Sequence, residues 1–183
     1  MERIAYRKGI FGIFFSMVLS IALCALPAAA EERLEPKDTD SDGKPDEWRV
    51  YAGDRLIRVD RNRNRDGAPE IHIFMEADKP VRAEVDRNND GKPDMFRSYV
   101  NGKPDKEHFD LNFDGKPDAW VFYKEGSKDL VIRDKNLDGK PDTWFYYGES
   151  GIKTIGGKAD ENFDGVVDKT FGSVPEKESR VPW

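Results

Sequence analysis

The chain has 183 residues, 36% of them charged, and a net charge of −6 at neutral pH; its mean hydropathy is −0.78. That acidity excludes nucleic acid as a partner, and so polar a chain excludes a thick apolar core. Aromatic residues at 11% exclude a plain disordered polyelectrolyte in turn, which leaves one domain with a thin core.

Residues 1–30 read as a secretory signal peptide. Arg3, Arg7 and Lys8 form a basic start and Ile10 to Leu26 an apolar run. Pro27-Ala28-Ala29-Ala30 then offers a small-residue cleavage site before Glu31. The apolar run is near the lower limit for a retained membrane anchor. A lipoprotein acylated at Cys24 would want a small residue where Leu23 stands. Cleavage removes Glu2 along with the three basic residues, leaving 27 basic against 35 acidic residues and a net charge of −8. It also removes Cys24, the single cysteine. With no disulfide available, an exported chain of this size needs another stabiliser, and bound metal is the obvious one. The expected location is the cell envelope, secreted or periplasmic, with no membrane attachment after cleavage.

Residues 31–37 form a charged lead-in, expected to be mobile. A nine-residue loop follows and then recurs. The six copies begin at Asp38, Asn62, Asp86, Asp110, Asp134 and Asp160, spaced by 24, 24, 24, 24 and 26 residues. A fixed period in this range signals one supersecondary unit stacked in an array. The fourth copy, Asp110-Leu111-Asn112-Phe113-Asp114-Gly115-Lys116-Pro117-Asp118, is representative. Oxygen-bearing side chains stand at the first, third, fifth and ninth places, and Gly at the sixth permits a sharp turn. A hard cation such as Ca²⁺ takes six to eight oxygen ligands, and one such loop supplies most of them. The candidate ligands are Asp38, Asp40, Asp42 and Asp46 in the first loop, and Asp86, Asn88, Asp90 and Asp94 in the third. Asp110, Asn112, Asp114 and Asp118 serve the fourth, Asp134, Asn136, Asp138 and Asp142 the fifth, and Asp160, Asn162, Asp164 and Asp168 the sixth.

A regular EF-hand closes its site with a bidentate Glu at the twelfth place, on an exiting helix. Here the twelfth places are Arg49, Ile73, Arg97, Val121, Phe145 and Phe171, and none can ligate. Pro45 and its equivalents cannot continue a helix, so the chain leaves each loop extended. The ninth-place acid is therefore expected to close each site.

Strand signals follow the loops. Asp118-Ala119-Trp120-Val121-Phe122-Tyr123 and Asp142-Thr143-Trp144-Phe145-Tyr146-Tyr147 are rich in aromatic and β-branched residues. Turns come next at Ala52-Gly53-Asp54, Asn101-Gly102-Lys103, Glu125-Gly126-Ser127 and Glu149-Ser150-Gly151. A second strand such as Leu130-Val131-Ile132-Arg133 then runs into the next loop. The expected fold is all-β: antiparallel hairpin repeats in a twisted meander or solenoid, with every metal loop along one edge. The domain spans residues 38–174, and 175–183 form a tail.

Two repeats depart from the pattern. The second loop, Asn62-Arg63-Asn64-Arg65-Asp66-Gly67-Ala68-Pro69-Glu70, carries a ligand charge of −2, against −3 in the third to sixth loops and −4 in the first. Affinity follows ligand charge, so this loop is expected to be a weak site or a turn held by Arg–carboxylate pairs. The sixth loop lacks the Pro, and its eleventh place holds Thr170 instead of an aromatic residue.

The eleventh places hold Trp48, His72, Phe96, Trp120 and Trp144, and the fourteenth Tyr51, Met75, Tyr99, Tyr123 and Tyr147. These two places face opposite sides of a strand, and the aromatic residues are expected to form ladders between neighbouring hairpins. Core filling is the plain reading of that register; a carbohydrate-binding face is the alternative. His72 reads as packing and His108 as a surface residue. No nucleophile elbow, phosphate loop or HExxH is present, so no enzyme is expected.

The loop Asp-x-Asn-x-Asp-Gly-Lys-Pro-Asp resembles the cation loops of integrin-type (FG-GAP) propellers and thrombospondin type-3 repeats. The whole unit, over residues 38–172, is more similar to bacterial exported repeat proteins with EF-hand-like loops. The resemblance implies calcium at the matching acids of the first, third, fourth, fifth and sixth loops. It does not imply a propeller, whose repeat is much longer. The expectation is an exported calcium-binding repeat protein with a structural or interaction role, its partners being calcium ions and a surface protein or glycan.

Overall fold

A computed structural model describes residues 31–175. Residues 1–30, expected to be a signal peptide, and 176–183 of the expected tail at 175–183 lie outside the described residues.

Twelve strands form one antiparallel sheet in sequence order, an open meander that does not close into a barrel. They are β1 (Glu32–Lys37), β2 (Glu47–Ala52), β3 (Arg55–Arg61), β4 (Ile71–Glu76), β5 (Lys79–Val85) and β6 (Met95–Val100). Then follow β7 (Lys103–Phe109), β8 (Ala119–Lys124), β9 (Ser127–Arg133), β10 (Thr143–Tyr147), β11 (Thr154–Ala159) and β12 (Lys169–Gly172). The first four periods are nine loop residues, six in the even strand, two in the turn and seven in the odd strand, which makes 24. The fifth has a longer turn, residues 148–153, and shorter strands.

The lead-in is a strand. Glu32–Lys37 pairs with β2 along its whole length, from Glu32 opposite Ala52 to Lys37 opposite Glu47. Its charged sequence hid this. An edge strand with both faces wet has no apolar alternation to display, and charges with a proline suit an edge that must not recruit another strand.

All six loops lie at one end of the strands, and the tight turns at the other. Asn101 and Gly102 have φ of 53° and 79°, the left-handed pair that matches the twist of a hairpin. Ala77 and Asp78 make the equivalent turn with φ of 47° and 60° and no glycine. Neighbouring loops are stitched together. The N–H of each first-place residue donates to the ninth-place carbonyl of the loop before, as in Asp110 to Asp94 at 2.9 Å and Asp134 to Asp118 at 2.8 Å.

The even strands from β2 to β10 shift register between their thirteenth and fourteenth places, as between Phe122 and Tyr123. Face A carries the eleventh and thirteenth places; face B carries the fourteenth-place tyrosines. The eleventh-place row runs Trp48, Asp60, His72, Glu84, Phe96, His108, Trp120, Ile132, Trp144 across nine strands. The expected aromatic ladder is therefore interrupted. A 24-residue period spans two strands, so equivalent places lie about 10 Å apart, beyond ring contact. Asp60 and Glu84 fill the gaps, and the stack present in this row is Phe96 on His108, 4.8 Å between centroids. His108 is thus half-buried in a ring stack, not a free surface residue. His72 does not simply pack either: its Nδ1 lies 2.7 Å from Asp60 Oδ1, and the same carboxylate accepts from Arg58 Nε at 2.8 Å.

The core sits on face A of β8–β10, where Trp120, Phe122, Leu130, Ile132 and Tyr146 cluster and Trp144 and Val174 pack against them. Gly156 lets the chain beyond β12 approach, since a Cβ there would lie 2.2 Å from the Ser173 carbonyl oxygen.

Candidate metal centres

Each loop is a frame of backbone N–H groups aimed at its own acids. In the fourth loop Asp110 Oδ2 accepts from the Gly115 N–H at 2.7 Å. Asn112 Oδ1 accepts from the Asp114 N–H at 3.0 Å, and its amide donates back to Asp114 Oδ2 at 3.2 Å. Asp114 Oδ1 accepts from the Lys116 N–H at 2.8 Å. The fourth-place residues of all six loops have φ between 60° and 64°, and the sixth-place glycines between 87° and 99°. This pair of left-handed residues curls the loop so that alternate side chains point inward. The sequence carried half of that signal, the glycine; the fourth place tolerates Ser, Arg, Asn, Phe and Leu and so left no mark.

In the first loop, oxygens of Asp38, Asp40 and Asp42 lie within 4.8 Å of one another, the one acidic group close enough to hold a metal among the described residues. In the third to sixth loops Asn replaces the third-place acid, so only two carboxylates and an amide share that position. The third-place amide holds the Asp90 carboxyl below its ordinary range, with help from the Lys92 N–H. In the first loop the Thr39 hydroxyl and N–H do the same for Asp46.

The ninth-place acid braces the loop. Asp46 is not part of the Asp38–Asp40–Asp42 group; it accepts from the Thr39 hydroxyl at 2.8 Å and the Thr39 N–H at 3.0 Å. Asp118 Oδ2 accepts from the Leu111 and Asn112 N–H groups at 2.7 and 3.2 Å, and Asp142 Oδ2 accepts from those of Lys135 and Asn136. Both acids are buried, 3% and 2% exposed, and Oδ2 of each takes two loop N–H groups. These donor sets fit a hard, oxygen-seeking cation.

The third loop adds an arginine to its ninth-place acid. Asp94 is equally buried, the Arg87 Nε donates to its Oδ1, and Arg87 Nη2 reaches on to the Asp110 carbonyl at 3.0 Å. In the first loop, Asp40 Oδ2 is paired with the Arg65 guanidinium of the second loop. Among the described residues no arginine side chain pairs with the second loop's own acids; Arg65 reaches out to the first loop instead. Arg61 bonds Glu47 at 2.9 Å, Asn64 donates to Asn89 Oδ1 at 2.9 Å, and Glu70 accepts from the Arg63 N–H at 2.9 Å. The Asn62 side chain makes none of the hydrogen bonds that the first-place carboxylates make, and its buried Oδ1 has no partner.

No family model and no curated protein matches the chain. Among solved structures it resembles TarM at 14% identity and a TM-score of 0.26, over 62% of this chain and 19% of that one. A second likeness is to an S. aureus TarM mutant in complex with Fondaparinux, alpha-GlcNAc-glycerol and UDP, at 13% identity and a TM-score of 0.28, over 67% of this chain and 21% of that one. The chain thus spans about a fifth of the length of these structures, and at such TM-scores the likeness assigns it no function.

Proposed function

We propose that this is an exported calcium-binding repeat protein, with calcium ordering the sheet for a structural or interaction role. The observation that carries the reading is the recurring loop frame: Asp118 and Asp142 are nearly fully buried acids held by loop N–H groups, in loops whose other acids are held inward by their own backbone. Unfolded loops do not present converging ligands, so binding energy becomes folding energy. Chelation on the mature chain is expected to lower Tm well beyond any effect of ionic strength. An apo protein that melts with the holo form refutes the reading.

A second reading, a carbohydrate- or cell-surface-binding module, draws on face B. There Tyr123 and Tyr147 line a cavity of about 460 Å³ with Phe109, Val121, Val131 and Lys128, and the Lys128 ammonium lies 5.1 Å from the Tyr147 ring centroid. Glycan-array binding that survives chelation and is lost in Tyr147→Ala favours this reading.

A further inference from the structure

We infer that Arg65 and Arg87 are internal counter-ions that stand where calcium would act, so that the first and third loops fill after the fourth, fifth and sixth. This rests on the calcium reading of the loops and concerns the order in which they are used.

Ligand charge alone ranks the first loop highest, because it has four carboxylates. The geometry reverses that rank. Arg65 projects from the neighbouring loop onto Asp40, one of the three acids whose oxygens converge. Calcium drawing on Asp40 must release the guanidinium first. In the third loop, Arg87 pairs with the ninth-place acid, whose counterparts Asp118 and Asp142 are held by loop N–H groups. Its position differs: the Asp94 side chain is 4% exposed and that of Arg87 38%, whereas those of Asp40 and Arg65 are 30% and 64% exposed. A guanidinium is always charged and matches a carboxylate with a planar fork, so each arginine is a permanent substitute cation. The corresponding second places of the fourth to sixth loops are Leu111, Lys135 and Glu161, and each reaches its ninth-place acid through its backbone N–H, with no side-chain cation on that acid.

The sixth-place glycines provide one reporter per loop, since each N–H of Gly43, Gly91, Gly115, Gly139 and Gly165 donates to the first-place carboxylate of its own loop. The mature protein labelled with ¹⁵N-glycine, titrated with calcium chloride alone, is expected to shift Gly115, Gly139 and Gly165 at lower calcium than Gly43 and Gly91. Arg65→Gln is expected to tighten the Gly43 midpoint about two- to fivefold, the range of an exposed ion pair, and to leave Gly91 unchanged. Arg87→Gln is expected to tighten Gly91 about tenfold, as for a partly buried charged hydrogen bond, and to leave Gly43 unchanged. Lysine at either place keeps the charge without the fork and is expected to fall between parent and glutamine variant, which keeps the test open if a glutamine variant does not fold. Unchanged or weakened midpoints overturn the inference, as does early filling of Gly43 and Gly91. If Gly115, Gly139 and Gly165 respond while Gly43 and Gly91 never do, the inference falls and the calcium reading stands. If no loop glycine responds, both fall.

Discussion

The two halves of this sheet are built from the same repeat but held by different forces. Ten of the twelve ion pairs among the described residues lie between residues 33 and 107. Eight of the twelve buried apolar residues lie beyond residue 118. In the first half, face A carries Arg58, Asp60, His72 and Glu84; in the second it carries Trp120, Phe122, Leu130 and Ile132. The loops divide the same way, with arginines on the acids of the first and third and none on those of the fourth and fifth. One fold can thus be held by charges that the chain brings itself or by an apolar sheet face. The lesson is that a repeat fixes geometry and leaves the source of stability free to vary along the array.

The largest expected consequence is an uneven response to calcium removal. A site held at a hundred times its Kd contributes about 2.7 kcal/mol, and the second half holds three loops without an arginine on their acids. Hydrogen exchange with chelator is expected to lose protection in β8–β12 far more than in β2–β5. Uniform loss along the sheet would break the comparison, since it would mean that the ion pairs of the first half do not replace the metal.

Core truncation comes next. Leu130 is fully buried on face A, while Val59 is 8% exposed on face B. Leu130→Ala is expected to cost about 2–5 kcal/mol, with a cavity term added to lost transfer energy. Val59→Ala removes less and sits beside charged neighbours, so about 1–2 kcal/mol is expected. Urea unfolding of both variants in saturating calcium measures the difference; equal costs would mean that the first half has a core of its own.

A third test separates loops of the same length. Asp114→Ala removes the fifth-place acid of a complete loop, and Asn64→Ala removes an amide from the second loop, which has two acids fewer than the first. Calcium titration is expected to lose about one equivalent in the first variant and none in the second. Equal losses would show the second loop to be a full site despite its −2 ligand charge.

How much of this was legible beforehand follows from what each residue has to do. The period, the strands and the position of every loop could be read because Gly115 and its equivalents, the Asp spacing and the β-branched runs all answer to backbone geometry. The turn at Ala77-Asp78 left no glycine to find, although the period placed it. β1 was hidden because an exposed edge strand needs no apolar alternation. The ninth-place acids were found as candidate ligands, but burial, which makes Asp118 and Asp142 informative, depends on neighbouring loops stitched through Asp134 and Asp160. Arg65 was visible as an oddity of the second loop. Its partner Asp40 lies 25 residues away, in the loop that precedes it, and spacing alone does not reveal that pairing.

The smallest effect concerns His108, where the two halves meet. Burial, with Lys106 adding to it, lowers its pKa below the ordinary value of 6.5. The unfolded chain therefore takes up this proton at higher pH than the folded one, and stability rises with pH across the interval between the two values. The contribution is fully present above pH 6.5 and is lost as pH falls through the lowered folded value. Protonation would put a charge against Phe96 in the stack and within reach of the Lys106 field. His108→Phe preserves a ring on Phe96 and abolishes the titration. Between pH 7.5 and 5 the parent is expected to lose a few degrees of Tm more than the variant, measured in saturating calcium so that loop carboxylates stay ligated. Identical slopes for the two proteins would place His108 in water, and would move the boundary between the charged and the apolar half beyond β7.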